Sequence, residues 1–416
     1  MKNILIAIRS IFKKGRHNVM KIVSLGIGLA VGLVLIAKVY FEQSYDDFYP
    51  DRDRVYQVWA KYQQNGGELK DYPQTSGGIA PTMQQQIPEI ETVTRYTSFG
   101  DWTFTMTDTK MKYSGRCIIA DSCFFDILPR PMLIGNAKEV LSTPMYVLIS
   151  SRIAKNIGGD VIGKNFTVDN SPGRTMTIGG VFEEVPENSH SRYDVIVSMA
   201  SAGRFMWEGS PTNMLGNDRY ISYVKLHKGV NPLALEEQVR TFVNSYFPPE
   251  EQQKVGLSID FSFHKLDNLH KELPQVKRMT WILSLLAFAL IFTAVMNYIL
   301  IVISSIVNRS KEVAVHKCYG ASENNIHGMM FGEALVHIVL SLILALLLIL
   351  AFRGTVEELL ATSLDSLLLS NGSLVLLGIC ILVFFVSGFM PGSLYARIPV
   401  ASAFRNYREN KRIWKK

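Results

Sequence analysis

The chain has 416 residues, 48% of them apolar and 19% charged, with 43 Lys and Arg against 36 Asp and Glu, a formal net charge of +7. Four long apolar stretches, 22–41, 279–307, 335–352 and 373–390, exclude an ordinary soluble chain, because about 20 apolar residues in a helix cross the hydrocarbon core. The basic excess gathers at the ends of these stretches, where it orients the chain and meets anionic headgroups, so it implies no nucleic-acid partner.

At the N-terminus, Ile4, Leu5, Ile8, Ile11 and Phe12 recur at helical spacing, with Lys2, Arg9 and Lys13 mostly elsewhere on the wheel. This pattern predicts an interfacial amphipathic helix within 1–21, lying on the cytoplasmic face. The first span follows over 22–41. It is too long for a signal-peptide core and ends Ala37-Lys38-Val39-Tyr40 without a small-residue cleavage site, so it reads as uncleaved. Gly28 and Gly32 form a small-xxx-small pair with Gly26 beside them. Such spacing lets two helix backbones approach closely, although glycine is also common on lipid-facing surfaces.

Residues 42–277 have the composition of a folded domain. Strands are expected over 54–60, 91–99, 112–119, 175–182, 194–198 and 220–226, each rich in β-branched or aromatic residues and bounded by turn formers. Helices are expected over 79–86 and 231–247, the latter opening Asn231-Pro232 as cap and first turn. Strands and helices mix without a βαβ period, which predicts an α+β domain in two lobes with chain enough for one or two cores. Cys117 and Cys123 could form a disulfide in an oxidising compartment, or simply be two small buried residues; Cys318 and Cys380 lie where neither can pair outside the cell.

No catalytic constellation emerges. Gly158-Gly159-Asp160-Val161-Ile162-Gly163-Lys164-Asn165 fits a phosphate-binding loop up to its last position, where Asn165 lacks the hydroxyl that magnesium needs. Phe166-Thr167-Val168 then continues as a strand where that motif requires a helix, so the segment reads as a turn. His190, His227, His264 and His270 lack metal-ligand spacing; only His264 and His270 are close, with Asp267 between them. There is no G-x-S-x-G elbow, and the pairs Asp46-Asp47 and Glu183-Glu184 sit in turn-like contexts. The chain is expected not to be an enzyme and to carry no cofactor or metal.

The remaining spans are expected over 279–307, 329–352 and 373–390, joined by a short external loop over 353–372. Asn297 falls mid-span, where an unpaired amide is costly, so it should face another helix. Glu333 and His337 share one face of the third span and could form a proton-linked pair or a structural polar contact. Lys13, Lys14, Arg16 and Lys21 precede span one, Arg309, Lys311 and Lys317 follow span two, and a basic tail occupies 391–416. The positive-inside rule makes all three regions cytoplasmic and 42–277 extracytoplasmic, with both termini inside.

Residues 308–328 promise the mechanism. A short helix from about Arg309 to Tyr319 would stop at Gly320, and Ser322 can cap the helix leading into span three. The loop Arg309-Ser310-Lys311-Glu312-Val313-Ala314-Val315-His316-Lys317-Cys318-Tyr319-Gly320-Ala321-Ser322 resembles the R-x-K-E-I/V-G/A-I/V-R/H-K-x-x-G-A-S segment of MacB/FtsX-type ABC transporter permeases. Phe41-Glu42-Gln43-Ser44-Tyr45-Asp46-Asp47-Phe48, Arg54-Val55-Tyr56-Gln57-Val58, Gly180-Val181-Phe182 and Pro186-Glu187-Asn188-Ser189-His190 resemble further stretches of that family. Met296-Asn297-Tyr298, Phe389-Met390-Pro391-Gly392-Ser393 and Ile398-Pro399-Val400 extend the resemblance nearly end to end.

The resemblance implies a permease half that dimerises with an identical or different partner and works with a separate ATPase subunit, which carries the ATP and magnesium. The loop, through Arg309, Lys311, Glu312, Lys317, Gly320, Ala321 and Ser322, would be the coupling helix seated on that ATPase. ATP-driven closure would then move the helices and reshape the outer domain without a substrate path through the membrane, exporting or extracting a peptide, antibiotic or lipoprotein. A periplasmic adaptor or hydrolase is a further expected partner. Two other readings stand beside it: a regulator of the same build that activates a cell-wall hydrolase or relays a signal, and an anchored sensor without an ATPase.

Overall fold

The computed structural model describes residues 18–169, 171–216, 218–304, 318–320 and 322–368, together with 315, 375, 378–380 and 382. Its helices in chain order are α1 (Asn18–Gln43), α2 (Ile79–Gln86), α3 (Phe124–Ile127), α4 (Ala137–Ser142), α5 (Ser151–Ile157), α6 (Ala202–Phe205), α7 (Glu236–Tyr246), α8 (Pro249–Val255), α9 (Pro274–Ser304), α10 (Glu323–Ala351), α11 (Arg353–Leu360) and α12 (Leu364–Leu368). Its strands are β1 (Val55–Gln64), β2 (Lys70–Tyr72), β3 (Ile90–Met106), β4 (Lys112–Ala120), β5 (Met132–Ile134), β6 (Tyr146–Ser150), β7 (Asn165–Val168), β8 (Ser171–Phe182), β9 (Val195–Ser198), β10 (Ile221–Leu226) and β11 (Leu257–Lys265). The chain divides into a helical unit, 1–43 with 274–416, and a central unit, 44–273.

In the helical unit, α1, α9 and α10 are each long and apolar enough to cross a membrane. A helix satisfies its own backbone groups, which is why such segments suit a medium without water. α1 packs against both α9 and α10, burying Leu25, Leu29, Leu33, Ala294, Tyr298, Ile338 and Ala345 in one cluster. The opposite faces stay exposed and apolar: Met20, Ile27 and Val31 on α1, and Trp281, Leu285, Phe288 and Phe292 on α9. Such faces suit contact with hydrocarbon. Where a plain loop was expected after the third span, the backbone forms α11 and α12. The predicted N-terminal amphipathic helix and the basic tail lie outside the described residues, as does nearly all of the fourth span. Of that span, Ile379 and Cys380 pack against the helical cluster.

The central unit is one eleven-stranded sheet rather than two lobes. The strand order is β11-β1-β10-β3-β4-β9-β6-β8-β5, with β2 on β1 and β7 joining β3 to β8. Pairing is antiparallel except for β4 with β9 and β6 with β8. At the middle of the sheet both faces are covered. Successive side chains alternate between faces, so Ile118, Leu148 and Ile196 enter one core beside Phe124, Phe182 and Tyr223. Their neighbours Cys117, Ile119, Val147, Ile149, Val195 and Val197 enter the other beside Phe104 and Phe166. A third core forms where α2 and α7 lay Ile79, Met83, Val239 and Phe242 on Val58, Val224 and Ile259. Two lobes are expected from the irregular mixing of strands and helices; long β3, paired with β10, β4 and β7, instead carries one sheet through all three cores.

Candidate functional site

The glycines of α1 decide how closely the helices approach. A Cβ on Gly28 would overlap the Ala294 methyl of α9, and one on Gly32 would overlap Ile291. On the α10 side, a Cβ on Gly26 would stand 2.9 Å from Leu344 Cδ2 and 3.1 Å from the Ser341 carbonyl oxygen. The small-residue stripe is therefore in contact with helices of its own chain. Asn297, expected to face another helix, lies on the exposed side of α9, because Ala294, Val295, Tyr298 and Ile299 set the buried arc.

The polar contacts that α1 makes sit toward its two ends. Asn18 Oδ1 lies 3.2 Å from His337 Nε2, and Ser341 Oγ donates to the Ile22 carbonyl at 3.1 Å. Glu333 is buried one turn before His337, and the Tyr298 ring meets the imidazole edge-on with centroids 6.2 Å apart. So the expected Glu333 and His337 face is also where α1 and α9 bring Asn18 and Tyr298. At the other end of α1, Lys38 Nζ contacts Glu42 at 2.6 Å and donates to Thr362 Oγ1 at 2.7 Å, both carried by side chains nearly shut off from solvent. A buried charge pair is strongly position-fixing, since either member alone would be an uncompensated charge.

Of the coupling segment, Arg309, Lys311, Glu312, Lys317 and Ala321 lie outside the described residues. Tyr319 N donates to the Val315 carbonyl at 3.0 Å, the spacing of a helical turn, and Gly320 follows at φ +86°. That left-handed conformation costs glycine nothing and ends a helix. Ser322 immediately precedes α10.

In the central unit the structure joins two of the motif stretches. Asp46 takes a left-handed φ of +60°, which aspartate tolerates better than most residues. The turn is held by Asp46 N donating to the Asn188 carbonyl at 2.8 Å, while Asn188 Nδ2 donates to the Ser44 carbonyl at 2.7 Å. The Asp46 carboxylate, fully buried, accepts from Ser189 Oγ at 3.0 Å, His190 N at 3.3 Å and His190 Nδ1 at 2.7 Å. With Nδ1 donating, His190 Nε2 is left to accept from the Tyr223 hydroxyl, its close neighbour. Ser191 Oγ lies 3.1 Å from the same nitrogen and 2.6 Å from the Tyr96 hydroxyl. Burial pushes the Tyr96 hydroxyl up to about 12, so it stays a neutral partner. The order Asp46, His190, Ser191 imitates a nucleophilic triad. However, Ser191 is 3% exposed and walled in by tyrosines, so no substrate reaches it. This is a structural clasp.

The first and last residues of the central unit are laced together beside that clasp. Tyr45 stacks on His270 with centroids 3.4 Å apart. Lys271 Nζ contacts Asp267 at 2.8 Å and Asp47 at 3.3 Å, and Arg52 lies 3.6 Å from each of those carboxylates. Burial alone would raise the Asp267 carboxyl, but Lys271 and Arg52 hold it below its usual range. β1 and β11, which follow and precede these ends, pair directly from Tyr56 with Lys265 to Gln64 with Leu257.

Cys117 and Cys123 are free. Burial raises both thiols, and Cys123 Sγ reaches the Val93 carbonyl at 3.1 Å. Gly158, Gly159 and Gly163 all take positive φ between α5 and β7, a connector and not a phosphate loop. His264 stacks on Trp59 and His227 lies in a turn. Among the described residues no three His, Cys, Asp or Glu side chains group closely enough to hold a metal. The Asp46 and His190 pairing spans more of the chain than any sequence spacing can reveal. The one available sign was that both fall in the family-like stretches.

The family model of a MacB-like periplasmic core domain matches residues 20–242, and that of an FtsX-like permease C-terminal domain matches residues 284–400. No curated protein matches the chain. Among solved structures, it is similar to a crystal structure of a domain, described as that of a permease, from Porphyromonas gingivalis. The two share 33% identity over 52% of this chain and 91% of the other, with a TM-score of 0.48. With more than half of its length matched by the first family model and its C-terminal third by the second, the chain belongs to the MacB/FtsX-like permease family.

Proposed function

We propose that this chain is the permease subunit of an ABC transporter of mechanotransmission type. ATP hydrolysis on a separate subunit would drive the helices, and the helices would reshape the central domain on the far side of a bacterial inner membrane, with both termini cytoplasmic. The observation that carries this reading is the lacing of residues 44–52 to 264–273. α1 and α9 pack against one another, and each continues covalently into one of these two segments. A displacement of the helix pair would therefore reach the sheet through adjacent strands β1 and β11, and reach its core through Asp46 and His190. Arg309, Lys311, Glu312, Lys317, Gly320, Ala321 and Ser322 are the residues proposed to engage the ATPase. A second permease subunit, identical or not, would supply the helix that Asn297 needs. The proposed cargo is an envelope molecule such as a peptide, antibiotic or lipoprotein.

Affinity purification of the tagged full chain from membranes tests the reading. A soluble ATPase should accompany it, and Glu312→Arg or Gly320→Leu should lose that subunit or its stimulation. If a cell-wall hydrolase is captured with the ATPase and no cargo moves, the regulatory role replaces transport. If no ATPase is captured in gentle detergent, the permease reading fails.

A further inference from the structure

The central unit holds a cleft of about 330 Å³ that the mechanism above does not use. Its walls come from β3 and β4 (Asp101, Gly115, Arg116), the start of α5 (Arg152), the chain leaving β8 (Glu184, Glu187) and the chain leading into β9 (Arg192, Asp194). Three guanidinium groups and four carboxylates thus converge on a space at the small end of ligand pockets. Some of these charges are already satisfied. Arg152 reaches Asp194 at 2.6 Å and Glu184 at 3.3 Å, and Arg192 donates to the Glu187 carbonyl. Asp194 also accepts from the Arg116 backbone N–H at 3.0 Å.

Two are not. Asp101 and Arg116 stand directly opposite on β3 and β4, a placement in which opposite charges ordinarily pair. Among the described residues, neither the Asp101 carboxylate nor the Arg116 guanidinium makes a hydrogen bond or ion pair. The cleft therefore offers a cation-binding carboxylate and an anion-binding fork side by side. Planar guanidinium is well matched to a carboxylate ligand.

We propose that this cleft binds a small zwitterion of amino-acid or dipeptide size, its carboxylate on Arg116 and its ammonium on Asp101. Occupancy would also bear on the clasp. Glu187 and Arg192 close the turn that carries Asn188, Ser189, His190 and Ser191, the residues that hold Asp46. A ligand seated against that turn stiffens it, so the domain can sense its cargo or a regulator. The binding does not require the ATPase partner and is measured without it.

The test is calorimetry on the full-length chain in detergent, titrated with Ala-Ala, N-acetyl-Ala-Ala and Ala-Ala amide. Saturable binding of free Ala-Ala is expected, weakened at least about tenfold by capping either end, the loss of one charge-assisted contact. Arg116→Ala and Asp101→Ala should each weaken it comparably; both side chains are exposed, so the fold survives. Absence of saturable binding, or equal binding by the capped peptides and by both variants, overturns the proposal.

Discussion

The two units hold themselves together by different means. In the helical unit the close contacts are steric: Gly28 and Gly32 admit Ala294 and Ile291, and polar pairs such as Lys38 with Glu42 sit toward helix ends. In the central unit a fully buried carboxylate, Asp46, ties together stretches far apart in sequence. The contrast follows from solvent. Lipid gives apolar side chains no reason to leave it, so helix association depends on shape and a few polar contacts. Water drives the sheet's apolar faces together, and the polar groups caught between them must find partners. Added volume should therefore damage the first unit, and removed hydrogen bonds the second.

The largest effect is expected where the helical unit departs from its own rule. Lys38→Met strips the ammonium from buried Glu42 and Thr362 and should cost about 3–5 kcal/mol, read as lost thermal stability in detergent. Lys38→Met with Glu42→Gln should recover part of that loss, which a double-mutant cycle measures. In the central unit, Asp46→Ala leaves Ser189 and His190 donors buried without their acceptor and puts alanine at φ +60°, which aspartate tolerates better; about 3 kcal/mol is expected in denaturant unfolding. Gly28→Leu should cost about 2 kcal/mol by forcing α1 from α9, with the central sheet's melting unchanged.

The smallest effect sharpens the comparison through pH. Burial against Trp59 holds the His264 imidazole below its usual value of 6.5. The unfolded chain therefore takes up the proton first as pH falls. The stabilisation is complete above about pH 6.5 and is lost as pH drops through the folded value. Melting of the central unit should fall between pH 7 and 5, and His264→Phe should flatten that slope.

Much of this was legible in the sequence. The helix over 79–86 and strands starting near 55, 91, 112 and 221 carry strong local signals, and the structure places them there. β6 carries no strand signal in the sequence, because Val147, Leu148 and Ile149 are buried on both faces and show no alternation. β11 does alternate, through Leu257, Ile259, Phe261 and Phe263, and its signal was available. Asn231 was legible as a cap, accepting from Leu233 N at 3.1 Å, although a 3-10 turn precedes α7. The clasp was not legible as chemistry. Asp46 looked like a solvated turn residue and His190 like an isolated histidine, since their partnership exists only after the sheet brings residues 144 positions apart together.

Hydrogen exchange on the full-length chain purified together with the proposed ATPase subunit tests the central claim most directly. If motion passes through the clasp, adding ATP changes amide protection in residues 44–52, 187–192 and 264–273 while the middle strands β4, β6 and β9 stay protected. Steady ATP hydrolysis with no change in those three segments would contradict transmission through Asp46 and His190.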